Sequence, residues 1–419
     1  MIKPVTIQQA DTYAARLLMI SFFLPMIAQS ISTVLLCVYF AGRVFTGRVK
    51  VPPANYAWAL FLGGSYLLYL FSMPLTGHEY RAFLLILAQR SVSLILMPFV
   101  FAIIAVPYKE LLLREMIWFV YASLIACVVG DIGFVYLHLT SKEAFTTLSH
   151  VEYRYFFEKA SGHHPTYMSM YLCFSICILL FTGPYYKNRL LKYILFYLLL
   201  IFLFALLAKA PLIALVLILL HYAYLRRSAL YKHKLLIAGM ALCVAVSCYA
   251  IPFARQRIGE VTQFLSSRNA GNSAENSFYD RKMILNTDLD MLRRYWSTGV
   301  GPGRMLRMLH ERYFFHSISR QSPVGYFDPH NEYFSQWLSF GIIGILLFLA
   351  ILVAHFIRAV SSRNYLYLYL LILLSITFFT ETVLSRQQGL LFYAILTSFF
   401  FFMKPGRQQS NDTTATPLL

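Results

Sequence analysis

Apolar runs alternate with short polar turns along nearly the whole chain, and one long polar stretch breaks the rhythm. The runs predict helices over Arg16–Ala28 and Ser32–Phe45, a hairpin broken near Pro25 and the Gln29-Ser30 pair. Tyr56–Met73, Ser91–Val106 and Leu112–Leu137 follow. A polar loop of about 25 residues then leads to Pro165–Thr182. Tyr193–Ala208 and Pro211–Leu225 are parted only by Lys209-Ala210, and Leu235–Ile251 closes the first block. Beyond the polar stretch lie Tyr333–Ile357, Tyr365–Phe379 and Gly389–Met403. Runs such as Leu190–Leu207 and Leu338–Ile357 approach or reach the roughly 20 residues that cross a bilayer, so about twelve spans are expected. The fold class expected is all-α, a polytopic membrane protein. A membrane barrel would instead show short strands of alternating polarity.

This pattern divides the chain into four parts. Residues 1–251 form an N-terminal helical block, 252–329 a large loop with short helices, 330–403 three C-terminal spans, and 404–419 a polar, disordered tail. The polar start, Met1–Asp11, lacks a small-residue cleavage site behind a short apolar core, so the first span is expected to serve as targeting signal.

Composition agrees with the pattern. Of 419 residues 59% are hydrophobic and 13% charged, where soluble domains carry about a quarter charged residues. The net charge of +18 would suggest nucleic acid in a soluble protein. Here the excess sits in loops between spans, and no nucleic-acid partner is expected. With the N-terminus inside, inner segments hold Arg43, Arg48, Lys50; Lys109, Arg114; Lys187, Arg189, Lys192; Arg226, Arg227, Lys232, Lys234; Arg358, Arg363; and Lys404, Arg407. That distribution follows the positive-inside rule and puts the long loop outside. All six cysteines fall in apolar runs, which suggests neither a disulfide framework nor a thiolate metal site.

The chemistry-bearing residues cluster in and beside the long loop. Ten of its eleven cations are Arg, the side chain suited to paired phosphate contacts. Arg281 stands out: Asn276–Tyr295 reads as a helix on which Phe278, Leu285, Leu289 and Leu292 share a face with it. An Arg on an apolar face needs an anionic partner, either a carboxylate such as Asp288 or a ligand phosphate. The run Gly299-Val300-Gly301-Pro302-Gly303 then suits positive φ and close backbone approach. Asp328 as cap and Pro329 as first helical residue would put His330 in a first helical turn, where the dipole favours a neutral imidazole. Lys209 sits between two spans, either snorkelling or facing a cavity. Asp131, within the fifth run, is expected to pair with a cation. His163 and His164 show no metal-ligand spacing. No Walker lysine loop, dinucleotide fingerprint, H-E-x-x-H or G-x-S-x-G is present, so neither metal nor cofactor is expected.

Three segments resemble the O-antigen ligase and polymerase superfamily of bacterial envelope glycosyltransferases. They are Leu206-Leu207-Ala208-Lys209-Ala210-Pro211-Leu212, Asp280-Arg281-Lys282 through Gly303, and Pro329-His330-Asn331-Glu332-Tyr333 followed by Gly341-Ile342-Ile343-Gly344. His164-Pro165-Thr166-Tyr167 is similar too. The resemblance implies a GT-C-like membrane architecture in the bacterial inner membrane with a large periplasmic loop. It implies a glycan moved from undecaprenyl diphosphate to a lipid A-core sugar hydroxyl, as in lipopolysaccharide biosynthesis. His330 would activate that hydroxyl, Arg281 and Lys209 would hold the diphosphate, and Asn331 and His164 would contact substrate. Lys209 stands where the family usually has Arg, which keeps the charge and loses the planar fork. Polymerases and protein O-oligosaccharyltransferases share the donor chemistry. A lipid-linked glycan flippase, the rival from another class, would want charges spread through the spans, whereas here they gather at the outer face.

Overall fold

The computed structural model describes residues 7–46, 52–141, 150–181, 189–227, 277–315 and 328–403. The run Leu235–Ile251, most of the long loop before Ser277 and the tail from Lys404 lie outside the described residues. Among the described residues all regular structure is helical. In chain order the helices are α1 (Ile7–Ser21), α2 (Met26–Thr46), α3 (Pro53–Leu62), α4 (Gly64–Ser72), α5 (His78–Ser91), α6 (Ser93–Ile104), α7 (Lys109–Glu115), α8 (Ile117–Ser141) and α9 (His150–Ser161). They continue as α10 (Pro165–Phe181), α11 (Arg189–Leu206), α12 (Lys209–Leu225), α13 (Ser277–Tyr295), α14 (Pro302–Phe315), α15 (Glu332–Ser361), α16 (Tyr365–Phe378) and α17 (Gln387–Phe402), with a 3-10 turn at Val383–Ser385. Met26–Thr46, His78–Ile104, Lys109–Thr140 and Glu332–Ser361 are each long and apolar enough to cross a membrane. Four shorter apolar helices accompany them, and α9 and α10 form a pair bent by 74°.

Each apolar run that falls on described residues is helical, but several boundaries move for identifiable reasons. The α1–α2 break covers Phe22–Pro25, while Gln29 and Ser30 are helical. The Ser30 hydroxyl donates to Met26 O at 2.7 Å and Gln29 Nε2 to Phe22 O at 3.4 Å, so both side chains donate to main chain rather than ending the helix. The third run splits at Gly63, which abuts Ile95; an added Cβ would lie 2.8 Å from the Ile95 side chain.

The loop expected before Pro165 contains a helix, α9. Its face of Tyr153, Phe156, Phe157 and Ala160 lies across Gly130–Phe134 of α8, with Tyr153 5.0 Å and Phe156 6.5 Å from Phe134 by ring centroids. Burying those aromatics outweighs the helix's many charges. Asp131 meets this same face. It accepts from the Tyr153 hydroxyl at 2.8 Å, a neutral partner in place of the expected cation.

One large core fills the bundle, with Phe22, Phe119, Tyr171 and Phe392 in edge-on and tilted contact at its centre. A second, smaller core joins α13 and α14 to α15 through Ile284, Met291, Leu292, Met305, Leu309 and Leu338. At one end of the bundle Arg43 pairs with Asp11 at 3.3 Å, and buried Glu115 takes Arg16 at 2.7 Å and Arg114 at 2.8 Å. At the opposite end of α2, Gln387 Nε2 donates to the Ser30 hydroxyl, which marks the end where the polar loops gather.

Candidate functional site

The site is built around the turn that precedes α15. Asn331 is the cap of α15: its Oδ1 accepts from Phe334 N at 3.1 Å, and the helix starts at Glu332. Asp328 therefore caps no helix, and His330 lies just outside the first turn. Instead, Asp328 Oδ1 accepts from His330 N at 3.0 Å, closing a tight turn that holds His330 at φ +44°. Histidine tolerates that left-handed backbone better than most residues, at a cost of order 1–3 kcal/mol. The strain aims the imidazole: Nδ1 lies 3.4 Å from Asp328 Oδ1 and 3.5 Å from Glu381 Oε2. Neither is an aligned hydrogen bond, and each is an ion pair only with the imidazole protonated. Two carboxylates at Nδ1 favour the tautomer protonated there.

The segment from Phe379 to Gln388 forms the floor. Thr382 Oγ1 donates to Asp328 Oδ2, and Leu384 N donates to the buried Glu332 at 2.9 Å. Asn331 Nδ2 reaches Phe379 O at 3.4 Å, so the expected substrate-contacting Asn331 is engaged by protein at both ends of its amide. Gln388 ties this floor to the α9–α10 turn, donating to Gly162 O at 2.7 Å and accepting from His164 N at 3.3 Å.

His164 is thereby fixed beside His330. Arg386, Glu381, Arg154 and His330 all lie within electrostatic reach of it, and its Nδ1 accepts from Thr166 N at 3.4 Å. His163 points elsewhere, wedged between Ser161 O at 2.7 Å and Phe22 O at 3.3 Å, a structural peg between two helix breaks. Arg154 Nη2 approaches Thr166 Oγ1 at 3.5 Å. Glu158 feels both Arg386 and Arg154, whose attraction lowers its carboxyl while the larger effect of burial raises it.

Above the turn lie α13 and α14. Asp288, fully buried on α13, accepts from the Tyr313 hydroxyl of α14 at 3.2 Å. Burial pushes its carboxyl up to about 8, against the opposing pull of Tyr313 and His330. Arg281 lies two turns N-terminal to Asp288 on this same helix, and its side chain is outside the described residues.

The glycine run has a purpose other than anion binding. Gly299 (φ +68°) and Gly301 (φ +88°) turn the chain, Val300 N donates to Leu338 O at 2.7 Å, and Ile342 N donates to Ser297 O at 3.1 Å. The partner is a break inside α15 at Gly341 (φ +68°, ψ −157°), a region only glycine occupies at ease. A Cβ on Gly341 would lie 2.2 Å from Ser297 O, and one on Gly299 2.5 Å from Gly341 N. The close backbone approach is therefore to protein.

Lys209 opens α12 after a left-handed residue, Leu207 (φ +46°). Cys173 Sγ meets Pro211 O at 3.4 Å, so this break adjoins the middle of α10. At 1.5 Å per residue the Cys173 contact lies roughly 14 Å along the chain from His164.

The structure thus joins His330, His164 and Asn331 in one place and lays the helix that carries Arg281 over them. Sequence reasoning missed Glu381, Arg386, Gln388 and Arg154. The polar cluster Thr380-Glu381-Thr382 and Ser385-Arg386-Gln387-Gln388 between two apolar runs was the available signal. Among the described residues no group of His, Cys, Asp and Glu could hold a metal ion.

Residues 193–349 match the family model described as O-Antigen ligase. That stretch runs from α11 into the second half of α15 and contains Lys209, Arg281, His330 and both glycine turns, so the resemblance to the O-antigen ligase superfamily is shown. No curated protein matches the chain.

Proposed function

Because residues 193–349 carry the O-antigen ligase resemblance, we propose that this membrane protein transfers a glycan from undecaprenyl diphosphate to a sugar hydroxyl of lipid A-core. The reaction takes place at the periplasmic face of the bacterial inner membrane. The observation that carries the reading is the His330 turn. A strained imidazole stands between Asp328 and Glu381, both of which contact it at Nδ1.

In the proposed step the acceptor oxygen forms a bond to the anomeric carbon of the donor. The bond from that carbon to the phosphate oxygen breaks, the carrier diphosphate leaves with the electron pair, and the acceptor proton passes to the His330 imidazole. Fixed cations where negative charge develops stabilise the leaving group. Arg281 on α13 and Lys209 at the α11–α12 break are the candidates for that role. His164 borders the acceptor side of His330. Asn331 contributes by capping α15 and so fixing where His330 stands. The three-part organisation of helical block, covering loop and C-terminal helices belongs to the same proposal.

Purified protein in lipid nanodiscs, given carrier-linked glycan and core lipid, tests it. His330→Ala should slow transfer by about 10² to 10⁴-fold, the usual contribution of a positioned base. Arg281→Ala should raise the donor requirement and slow transfer. Full transfer by both variants would refute the assigned roles. Deletion in the host separates acceptors: loss of every capped core supports a ligase, whereas single-repeat caps point to a polymerase.

A further inference from the structure

The carboxyl of Asp288 is the most isolated acidic group in the described structure. It is 0% exposed, its Oδ1 meets Tyr313, and its Oδ2 is buried with no hydrogen-bond partner. Among the described residues it makes no ion pair within 4.0 Å. It stands on the face of α13 that carries Ile284, Met291 and Leu292 onto Leu338, with Phe334 and Trp337 at the margin. Those contacts fall on the first turns of α15, directly after His330. The titratable groups that face it are Tyr313 from α14 and His330 and Asp328 from the turn. Asp290 and Arg293 on its own helix pair with each other at 3.5 Å on the exposed side, and Arg294 is exposed. Arg307 and Glu311 pair at 3.0 Å on the exposed side of α14.

A carboxylate buried without a cation is costly enough that such groups take up a proton instead. We propose that Asp288 is a positioning residue for His330: a neutral carboxyl that, with Tyr313, fastens α14 to α13 where α13 lies over the Asp328–His330 turn. The role for His330 rests on the transferase reading, whereas the fastening itself does not. Protonated, Asp288 brings no second negative charge toward Asp328 and leaves the imidazole to Asp328 and Glu381. Ionised, it would repel Asp328 and compete for the imidazole, and the docked helices would carry an unpaired charge in an apolar seam.

The direction of the pH effect follows from linkage. The docked carboxyl is pushed up to about 8 by burial, while in undocked helices it returns toward the ordinary 3.8. Between those values the docked form binds the extra proton. Docking is therefore strongest at low pH, weakens by up to about tenfold per pH unit through that window, and levels off above it.

Spin labels at Arg293 on α13 and Leu75 in the α4–α5 turn, both exposed, read docking as a distance in substrate-free nanodiscs. In the wild-type protein the docked distance should lose population as pH rises from about 5 to 8. Asp288→Asn, neutral at every pH, should hold the docked distance throughout. Tyr313→Phe, which keeps the ring and removes the bond, should weaken docking at every pH. The proposal is overturned by an Asp288→Asn protein undocked already at pH 5, by a pH response identical in wild type and Asp288→Asn, or by docking unchanged in Tyr313→Phe. A protein that docks as expected but never transfers glycan would sink the transferase reading and leave the clasp standing.

Discussion

Gly341 shows how much a single residue without a side chain decides. Its φ of +68° and ψ of −157° break α15 inside a membrane-length helix, and the freed main-chain groups bind the Ser297–Val300 turn. Alanine there would have to place its Cβ 2.2 Å from Ser297 O, in addition to backbone strain of order 1–3 kcal/mol. Gly341→Ala should therefore lower the melting temperature in detergent by several degrees and release α13 and α14 to protease. Gly42→Ala, with no atom within 4 Å of its added Cβ, should do neither. At this scale the sequence was half legible. His330, His164 and Asn331 could be picked out because they sit in compact polar motifs beside apolar runs. Glu381 and Gln388 could not, since their partners lie 51 and 224 positions away, at His330 and His164, and proximity across the bundle leaves no trace in local spacing. His330 itself was placed in the wrong setting. Asp328-Pro329 looks like a helix start, yet Asn331 makes the better cap because the Asp328 carboxylate is taken by His330 N and Thr382.

Among the elements, helices made of continuous apolar runs were the readable ones, and α9 was the omission. Its sequence is rich in charge, but Tyr153, Phe156, Phe157 and Ala160 recur at three- and four-residue spacing, which is the mark of one buried face. The recipient groove is made by two glycines of α8: a Cβ on Gly130 would lie 2.4 Å from the Phe157 ring and one on Gly133 2.3 Å from Ala160 Cβ. Gly133→Leu should displace α9 and with it Arg154 and the His163–His164 turn. The expected result is at least a tenfold loss of glycan transfer with folded protein still recovered by size exclusion. Transfer at the wild-type rate would show that α9 takes no part in shaping the site. The bend of 74° between α9 and α10 follows from the same arrangement, because Gly162 (φ +71°) and Pro165 reverse the chain where His163 is pegged to Phe22 O.

For the molecule as a whole, hydropathy and charge predicted a membrane protein whose spans are joined by basic inner loops, and cations from those loops lie at one end of the described helices. Arg43, Arg114 and Arg358 collect at one end, the last donating to Phe401 O at 2.8 Å, and His330, Glu381 and His164 at the other. Such an arrangement makes a topological prediction. A cysteine at Leu75, 86% exposed in the turn before α5, should react with an impermeant maleimide in intact spheroplasts. A cysteine at Thr46, beyond the Arg43–Asp11 pair, should react only after permeabilisation. Labelling of both from the same side would overturn the assignment of His330 to the periplasmic face. The larger architecture was less legible than its ends, because the loop helices are held by main-chain joints whose only sequence signs are scattered glycines.

Those joints carry a mechanical consequence. Hydrogen bonds from Val300 to Leu338 and from Ile342 to Ser297 yoke the cover of the site to both halves of a broken, membrane-length helix. A helix of that kind answers a thinner or thicker bilayer by tilting, and whatever tilt it takes is handed across the yoke to the two helices above His330. Lipid chain length should thus shift α13 and α14 over the His330 turn.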